Sequence, residues 1–420
     1  MERYSEYKDS GVQWLGEIPR HWKTVRVKAL LSERVDKSDT GLEEPLSMSQ
    51  KYGIIPTREM DVVPNMASTY IGAKRVFKQD LVFNKLKAHL GVFAISKYDG
   101  LVSPDYAVYT PNERTYLPFM EYVFHTPLYI GEFTRKATGV AIGLTRLYTN
   151  GLFAIPFLYP PIEEQHSIVS YLDDKCGKIA KMLEGKQKQI ELLAEMKQRI
   201  IADAVTRGLN PDVKMKATNI PWLPEIPEHW EFTRNKTLLK LTDEKVGGRK
   251  DITLLSLTKQ GVIIRDLSEG KGKFPKDFDS YLVVRPNNLV FCLFDIDETP
   301  RTVGLVRNYG MLTGAYTNFE VNESLVLPEY IYNYYLQVDN IKGLRPYYTG
   351  LRKVVKTGSF LQIRMPLPPL DEQRAIVSYI TGKTTKLDTL TSKLQQEIES
   401  IKEYKQRLIS DVVTGQIKVC

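Results

Sequence analysis

Two long stretches of the chain carry apolar residues at alternating intervals of four and three. The first runs Leu172, Cys176, Ile179, Leu183, Ile190, Leu193 and Ile200, interrupted by Lys186 and Lys197. The second runs Ile380, Leu387, Leu394, Ile398, Ile401, Leu408 and Val412, interrupted by Thr384, Thr391 and Lys405. A seven-residue apolar repeat marks a helix that presents a narrow seam to another helix. Pro160-Pro161 and Pro368-Pro369 suit the loop or first turn before each helix, and Gly208 and Gly415 suit the ends. Each helix then spans about 45 residues, or about 68 Å. That length exceeds what one small domain needs. The pattern therefore predicts two antiparallel coiled-coil helices, the alternative being two amphipathic helices each packed on its own domain.

Elsewhere the apolar runs are short and end in turn residues. Asp80–Asn84, Val92–Ser96 and Tyr106–Tyr109 read as strands, with a turn signal at Tyr98-Asp-Gly100. Ile252–Leu257, Gly261–Ile264, Leu289–Phe294 and Val303–Val306 read likewise. Leu117–Ile130 and Leu327–Tyr335 look like short aromatic helices. The fold class predicted is mixed α/β (α+β).

The chain is also written twice. Trp14-Leu-Gly-Glu-Ile-Pro-Arg-His-Trp22 returns as Trp222-Leu-Pro-Glu-Ile-Pro-Glu-His-Trp230, an offset of 222 − 14 = 208. Pro160-Pro-Ile-Glu-Glu-Gln165 returns at the same offset as Pro368-Pro-Leu-Asp-Glu-Gln373, and Ile168-Val-Ser-Tyr171 as Ile376-Val-Ser-Tyr379. A single offset held over distant blocks indicates an internal repeat, which predicts halves related by a pseudo-twofold axis. Between the blocks, residues 32–150 and 240–358 share length and little else. A duplicated enzyme would keep active-site residues recognisable in at least one half; a duplicated reader changes the part that reads.

The chain has 420 residues, 42% hydrophobic, which supports real cores and several domains. Net charge is +8. Residues 1–208 hold 28 basic and 25 acidic residues, and residues 209–420 hold 30 and 25, so the excess is shared and no tail carries it. A moderately basic chain suits an anionic partner. The three cysteines, Cys176, Cys292 and Cys420, are too scattered for a disulfide framework and fit a reducing cytoplasm. The polar first residues do not form a signal peptide's apolar core, and no apolar run is long enough to span a membrane.

Catalytic motifs are not recognisable. Gly382-Lys-Thr384 ends like a phosphate-binding loop, but position 377, where the earlier glycine belongs, is Val. The Pro-Pro pairs follow Tyr159 and Leu367 rather than the Asn of an amino-methyltransferase motif. His21, His89, His125, His166 and His229 show no ligand spacing with the cysteines. His21 and His229 sit between Pro-x and Trp in both repeats, which points to a structural role. Pro104-Asp105 has no Glu-x-Lys to complete a nuclease set. No catalytic, cofactor-binding or metal residue is assigned.

DNA binding needs cations at phosphates and planar or amide groups at base edges. Candidates in the first half are Lys74, Lys85, Lys87, Arg146 and Tyr148, the last two in or beside the glycine-rich loop Thr138–Tyr148. In the second half they are Lys259, Arg301, Arg352 and Lys353, the last two in Thr349-Gly-Leu-Arg-Lys353. Glycine in both loops lets backbone approach a ligand closely.

The twice-written Trp-Leu-x-Glu-Ile-Pro-x-His-Trp and Pro-Pro-[Ile/Leu]-[Glu/Asp]-Glu-Gln before a long helix resemble the frame of type I restriction-modification specificity subunits. Asp80–Ala88 and Ser96–Tyr109 look like the body of a target-recognition domain, whereas Leu312–Phe319 departs from the Ser-Pro-Asp-Tyr stretch. The resemblance implies target-recognition domains at 1–159 and 209–367, with coiled-coil helices in 160–208 and 368–420. Each domain would read one half of a bipartite site in double-stranded DNA. The coils would fix the spacing and dock two methyltransferase subunits. Those subunits bind S-adenosylmethionine and methylate adenine N6; restriction subunits using ATP and Mg join to cut. The rival readings are a non-catalytic coiled-coil adaptor and a stand-alone nuclease.

Overall fold

The computed structural model describes residues 2–62, 69–139, 145–249, 251–265 and 278–419; Cys420 and the middle of the loop after Gly139 (140–144) lie outside the described residues. The fold is mixed α/β. The chain divides into two compact units, Met1–Lys186 with Gln396–Cys420, and Gln187–Gln395.

The first unit is built on an antiparallel four-stranded sheet in the order Leu31–Glu33, Tyr106–Pro111, Leu81–Asn84, Phe93–Ile95. Around it lie four two-stranded pairs: Tyr7–Asp9 with Glu17–Pro19, Lys23–Arg26 with Pro156–Tyr159, Lys74–Val76 with Gly100–Val102, and Leu46–Ser49 with Gly53–Pro56. The second unit repeats this plan. Its four-stranded sheet runs Leu239–Thr242, Thr317–Val321, Leu289–Phe291, Val303–Leu305. Its pairs are Met215–Ile220 with Leu223–Pro227, Glu231–Arg234 with Arg364–Leu367, Leu282–Val284 with Gly310–Leu312, and Leu255–Thr258 with Gly261–Ile264. The segments that diverge in sequence thus share one topology. Strand plan follows from alternation and turn placement, which different residues can satisfy.

Two glycines show how closely the plan is kept. Leu101 N–H donates to Glu44 O at 2.8 Å, and Met311 N–H donates to Thr253 O at 2.8 Å. A Cβ on the preceding residue, Gly100 or Gly310, would lie 2.3 Å or 2.6 Å from that same carbonyl oxygen. Neither position accepts a side chain without parting the segments. The strand at Gly100–Val102 is additional to those the sequence predicts, because three residues carry too short a period to register. The single aromatic helix expected over Leu117–Ile130 is two, Leu117–Phe124 and Pro127–Lys136. Pro127 cannot continue the first helix, and the Thr126 hydroxyl caps the second by accepting from Tyr129 N–H. The other helix extends further than expected, Pro328–Asn340.

The long helices run Ile162–Arg207 and Leu370–Val413, 46 and 44 residues. In the first unit Ile168, Val169 and Leu172 share a core with Leu408, Val412 and Val413, so the start of one helix lies against the end of the other. In the second unit Ile201, Ala204 and Val205 share a core with Ile376 and Ile380. The helices are antiparallel within each unit. Leu172, Ile380, Leu387 and Ile398 are buried, and Ile179, Leu183, Ile190, Leu193, Leu394 and Ile401 are half-buried between exposed neighbours. The two lysines that interrupt the first stripe are paired across the seam, Lys186 with Glu397 and Lys197 with Asp388 at 2.7 Å.

The repeated sequence blocks meet in space. The Glu164 carboxylate, in the first helical turn, accepts from Trp22 Nε1 at 3.0 Å, lies 2.8 Å from His21 Nε2 and accepts from the Tyr4 hydroxyl. Glu372, its counterpart, lies 2.8 Å from His229 Nε2. Gln165 and Gln373 each donate to the first proline carbonyl of their Pro-Pro pair, both at 2.9 Å. Gly208 and Gly415 terminate the helices in the left-handed region, at φ +74° and +76°. A Cβ on Gly208 would stand 3.3 Å from Trp230, and one on Gly415 the same distance from Trp22. The repeated frame is therefore a clasp: each buried tryptophan meets the start of one long helix and the end of the other.

Candidate nucleic-acid interface

In the first unit the strand Leu81–Asn84 ends in a turn bearing Lys85 and Lys87. Leu147 N–H donates to Lys85 O at 3.0 Å, which holds the residue that follows the Thr138–Arg146 bridge against that turn. The Ser103-Pro-Asp-Tyr106 turn lies among the cations: Lys85 Nζ is 3.4 Å from Pro104 O, Arg146 Nη1 is 3.5 Å from Asp105, and Lys74 Nζ donates to Tyr106 O at 2.8 Å. Lys85 and Arg146 are half-buried, and Lys87 and Tyr148 are exposed.

Lys74 is not an outward cation. Its side chain is 12% exposed and also faces Glu33 at 3.8 Å. Burial, then the charge of Lys85, lowers its pKa below the usual lysine value. Lys37, which sequence reasoning passed over, bridges to the same strand, is exposed and adds to the positive field at Lys74. Only pairing across strands, invisible in one-dimensional spacing, brings it there.

The second unit places the same backbone contact at the same offset. Val355 N–H donates to Leu293 O at 2.8 Å, docking the hairpin closed by Thr349 and Val354 onto the turn after Leu289–Phe291. The side chains differ. That turn carries Asp295, Asp297 and Glu298 where the first unit carries Lys87, His89 and Leu90, and Leu293 stands where the first unit has Lys85. Arg352 lies over the Phe294 ring, 5.5 Å from its centroid, and 3.3 Å from Asp295. Lys353 pairs with Asp297 and Glu298, which raises its pKa above the usual lysine value. Arg345 holds Asp297 at 2.7 Å, and that bond together with Lys353's holds the Asp297 pKa below the usual carboxylate value.

Arg301 is a structural cation. Its guanidinium is 3.2 Å from Asp339, whose carboxylate also receives Thr302 N–H and Lys342. With 19% of its side chain exposed, it locks a helix to a strand end rather than facing a ligand. Lys259 is exposed in the turn between Leu255–Thr258 and Gly261–Ile264. The second-unit candidates thus fall in separate places: Arg352 and Lys353 at one hairpin, Lys259 at another, Arg301 inside.

Among the described residues no cluster of His, Cys, Asp and Glu is placed to hold a metal ion, and no helix is long and apolar enough to cross a membrane. Cys176 and Cys292 are free, and burial raises both thiol pKa values.

No protein-family model matches the chain. A putative type I restriction enzyme MjaX specificity subunit of Methanocaldococcus jannaschii is 23% identical over 435 residues, covering 96% of each chain. The type I restriction enzyme MjaVIII specificity subunit of the same organism is 24% identical over 312 residues, covering 68% of this chain and 66% of that one. Among solved structures, a chain of a type I R-M system, determined to explain its complex assembly and conformational transition, matches with a TM-score of 0.69 at 14% identity, covering 95% of this chain and 99% of that one. The HsdS subunit of Thermoanaerobacter tengcongensis matches with a TM-score of 0.51 at 14% identity, covering 95% and 98%. At that identity the two structures speak for the fold. With the repeated frame and the full-length sequence match, they make this chain a relative of the type I restriction enzyme specificity subunits.

Proposed function

We propose that the chain is the DNA-specificity subunit of a type I restriction-modification enzyme. Residues 1–159 and 209–367 are two target-recognition domains, each reading one half of a bipartite site in double-stranded DNA. The helical segments 160–208 and 368–420 join them and dock two methyltransferase subunits. The chain performs no chemistry itself. Its partners bind S-adenosylmethionine and methylate adenine N6 after flipping the base; restriction subunits use ATP and Mg. The system works in the cytoplasm.

One observation carries this reading. The two units hold the same backbone bond at one offset, Leu147 to Lys85 and Val355 to Leu293, and around it the side chains change: Lys85 gives way to Leu293, Lys87 to Asp295, His89 to Asp297 and Leu90 to Glu298. A scaffold that keeps its backbone while changing its solvent-facing groups is what reading two different half-sites requires, because phosphate and base contacts are made by side chains on a fixed register.

The test is methylation mapping in cells expressing the chain with its methyltransferase, against cells lacking only this chain. A split motif with N6-methyladenine in both halves, lost with the chain, is expected. Methylation that persists unchanged, or the lack of a split motif, would refute the assignment. The adaptor reading predicts no salt-dependent DNA binding by the purified chain, and the nuclease reading predicts metal-dependent cleavage by the chain alone.

A further inference from the structure

The tip of the hairpin closed by Thr349 and Val354 carries Leu351, 103% exposed, the most exposed large apolar residue among those described. Hairpin tips ordinarily carry polar or turn-forming residues. The leucine is not there by looseness of the loop. Thr349 N–H and Val354 O are 3.0 Å apart, Val354 N–H and Thr349 O 3.1 Å, and Lys353 N–H donates to Gly350 O at 3.1 Å. Gly350 and Lys353 flank the tip in the left-handed region, at φ +74° and +44°. The base is fixed from below: Val355 is buried, Asp295 N–H donates to Arg352 O at 2.9 Å, and Lys353 is held by Asp297 at 3.0 Å. A built loop thus delivers one apolar side chain into solvent.

The surroundings specify what it meets. Arg352, next to Leu351 with 73% of its side chain exposed and 3.3 Å from Asp295, and the exposed Lys356 two residues beyond the hairpin's closing Val354 lie on either side of the tip in the chain. Cations beside an apolar point match a duplex, where phosphates border the base edges and the thymine 5-methyl is the apolar feature of the major groove.

We propose that Leu351 is a specificity-determining residue of the second recognition domain, contacting a thymine 5-methyl group in one half-site while the adjacent Arg352 meets a flanking phosphate. This rests on the DNA-specificity reading above. Leu351 supplies discrimination and Arg352 supplies register.

The test uses the full chain bound to its methyltransferase. Binding is measured to the methylation-mapped target, and to duplexes in which each thymine of one half-site is replaced in turn by uracil, which lacks the methyl group. With the unaltered chain, one replacement is expected to weaken binding about tenfold, the scale of one lost base contact. Leu351→Ala is expected to bind the thymine duplex about tenfold more weakly, to ignore that replacement, and to relax one position of the methylated motif. Its thermal midpoint and salt slope are expected to stay unchanged, because the side chain touches neither core nor phosphate. Unchanged binding and motif in Leu351→Ala would overturn the proposal. So would a loss of equal size on non-specific DNA, or weakened methyltransferase capture with DNA affinity intact. If the unaltered complex yields no split motif, the specificity reading itself falls; if it yields one that Leu351→Ala reproduces, only the role of Leu351 falls.

Discussion

The two clasps share their repeated residues but not their hydrogen bonding, and that difference sets unequal costs for the same substitution. Glu164 is 10% exposed and accepts from the indole of Trp22, which is fully buried. Alanine at 164 leaves that N–H without an acceptor away from water, which costs about 1–3 kcal/mol. The bond from Tyr4 is lost as well, whereas the half-exposed His21 turns to water. The sum expected for Glu164→Ala is about 2–3 kcal/mol. Glu372 is 26% exposed, and its only clasp bond is to the half-exposed His229; the Trp230 indole is already buried without a partner. Glu372→Ala orphans nothing new, and its cost should stay below about 1 kcal/mol. Urea unfolding followed by tryptophan fluorescence measures both, because each unit holds two tryptophans, Trp14 and Trp22 or Trp222 and Trp230. With one pair replaced by phenylalanine, the other reports on its own unit, and midpoints shifting at constant slope give the stability change. A loss at Glu372 as large as at Glu164, or a loss below about 0.5 kcal/mol at Glu164, would refute the argument that the buried indole decides the difference.

Gly100→Ala should destabilise the first unit by about 1–3 kcal/mol, since the new Cβ meets Glu44 O and must push apart two segments joined by a backbone bond; chemical unfolding of that unit checks it. Lys87→Ala should weaken DNA binding across sequences and reduce the slope of log affinity against log salt by about 1, whereas Arg301→Ala should leave the slope alone and lower the thermal midpoint, since its guanidinium is bound to Asp339. Bonds from Arg285 and Arg249 lower the Glu244 pKa from 4.5 to about 2. A depressed folded-state pKa gives stability that is complete above pH 4.5 and lost as pH falls through about 2, so the difference between the native chain and Glu244→Gln in acid unfolding should close over that window.

Much of the architecture lies open in the sequence because its signals are periodic or local. The seven-residue stripes mark the long helices, since a seam must recur wherever two helices touch. The Pro-Pro pairs and glycines mark their ends, because proline cannot continue a helix backwards and glycine alone enters the left-handed region freely. The shared strand plan is harder to see. Leu81-Val-Phe83 and Leu289-Val-Phe291 stand at the repeat offset, yet three residues of a buried strand resemble any apolar run. The cations were least legible. Lys74 and Arg301 look like surface charge in sequence; Lys74 turns inward because a carbonyl across the sheet needs a donor, and Arg301 because Asp339 is buried beside it. Lys37 enters the first cluster only through strand pairing.

The chemistry of the frame explains why it can repeat while its contents change. Glu164, Glu372, Gln165 and Gln373 bond groups of the frame, namely histidines, an indole and proline carbonyls, Gln373 in addition holding the backbone of Leu325 and Leu327, and Gly208 and Gly415 yield to tryptophans. Inside the sheets, substitution is already coupled. Asp80, held by Arg34 through two bonds of 2.8 Å and 3.0 Å, becomes Asn288 at the repeat offset, and there Asn318 answers as the partner instead of an arginine. A buried polar site must be replaced together with its partner, because an unpaired charge or amide there is costly. The turns after Asn84 and Phe291 mix buried side chains, Ala88, Leu293 and Ile296, with exposed ones, Lys87 and Glu298, and the exposed ones are free to change. Lys87 can become Asp295, and Lys85 Leu293, without disturbing the Leu147–Lys85 or Val355–Leu293 bond, since both are made by backbone. On the proposed reading, the frame and the buried sites carry stability while exposed side chains on a backbone-held register carry recognition, which lets one fold hold two unlike units in one chain.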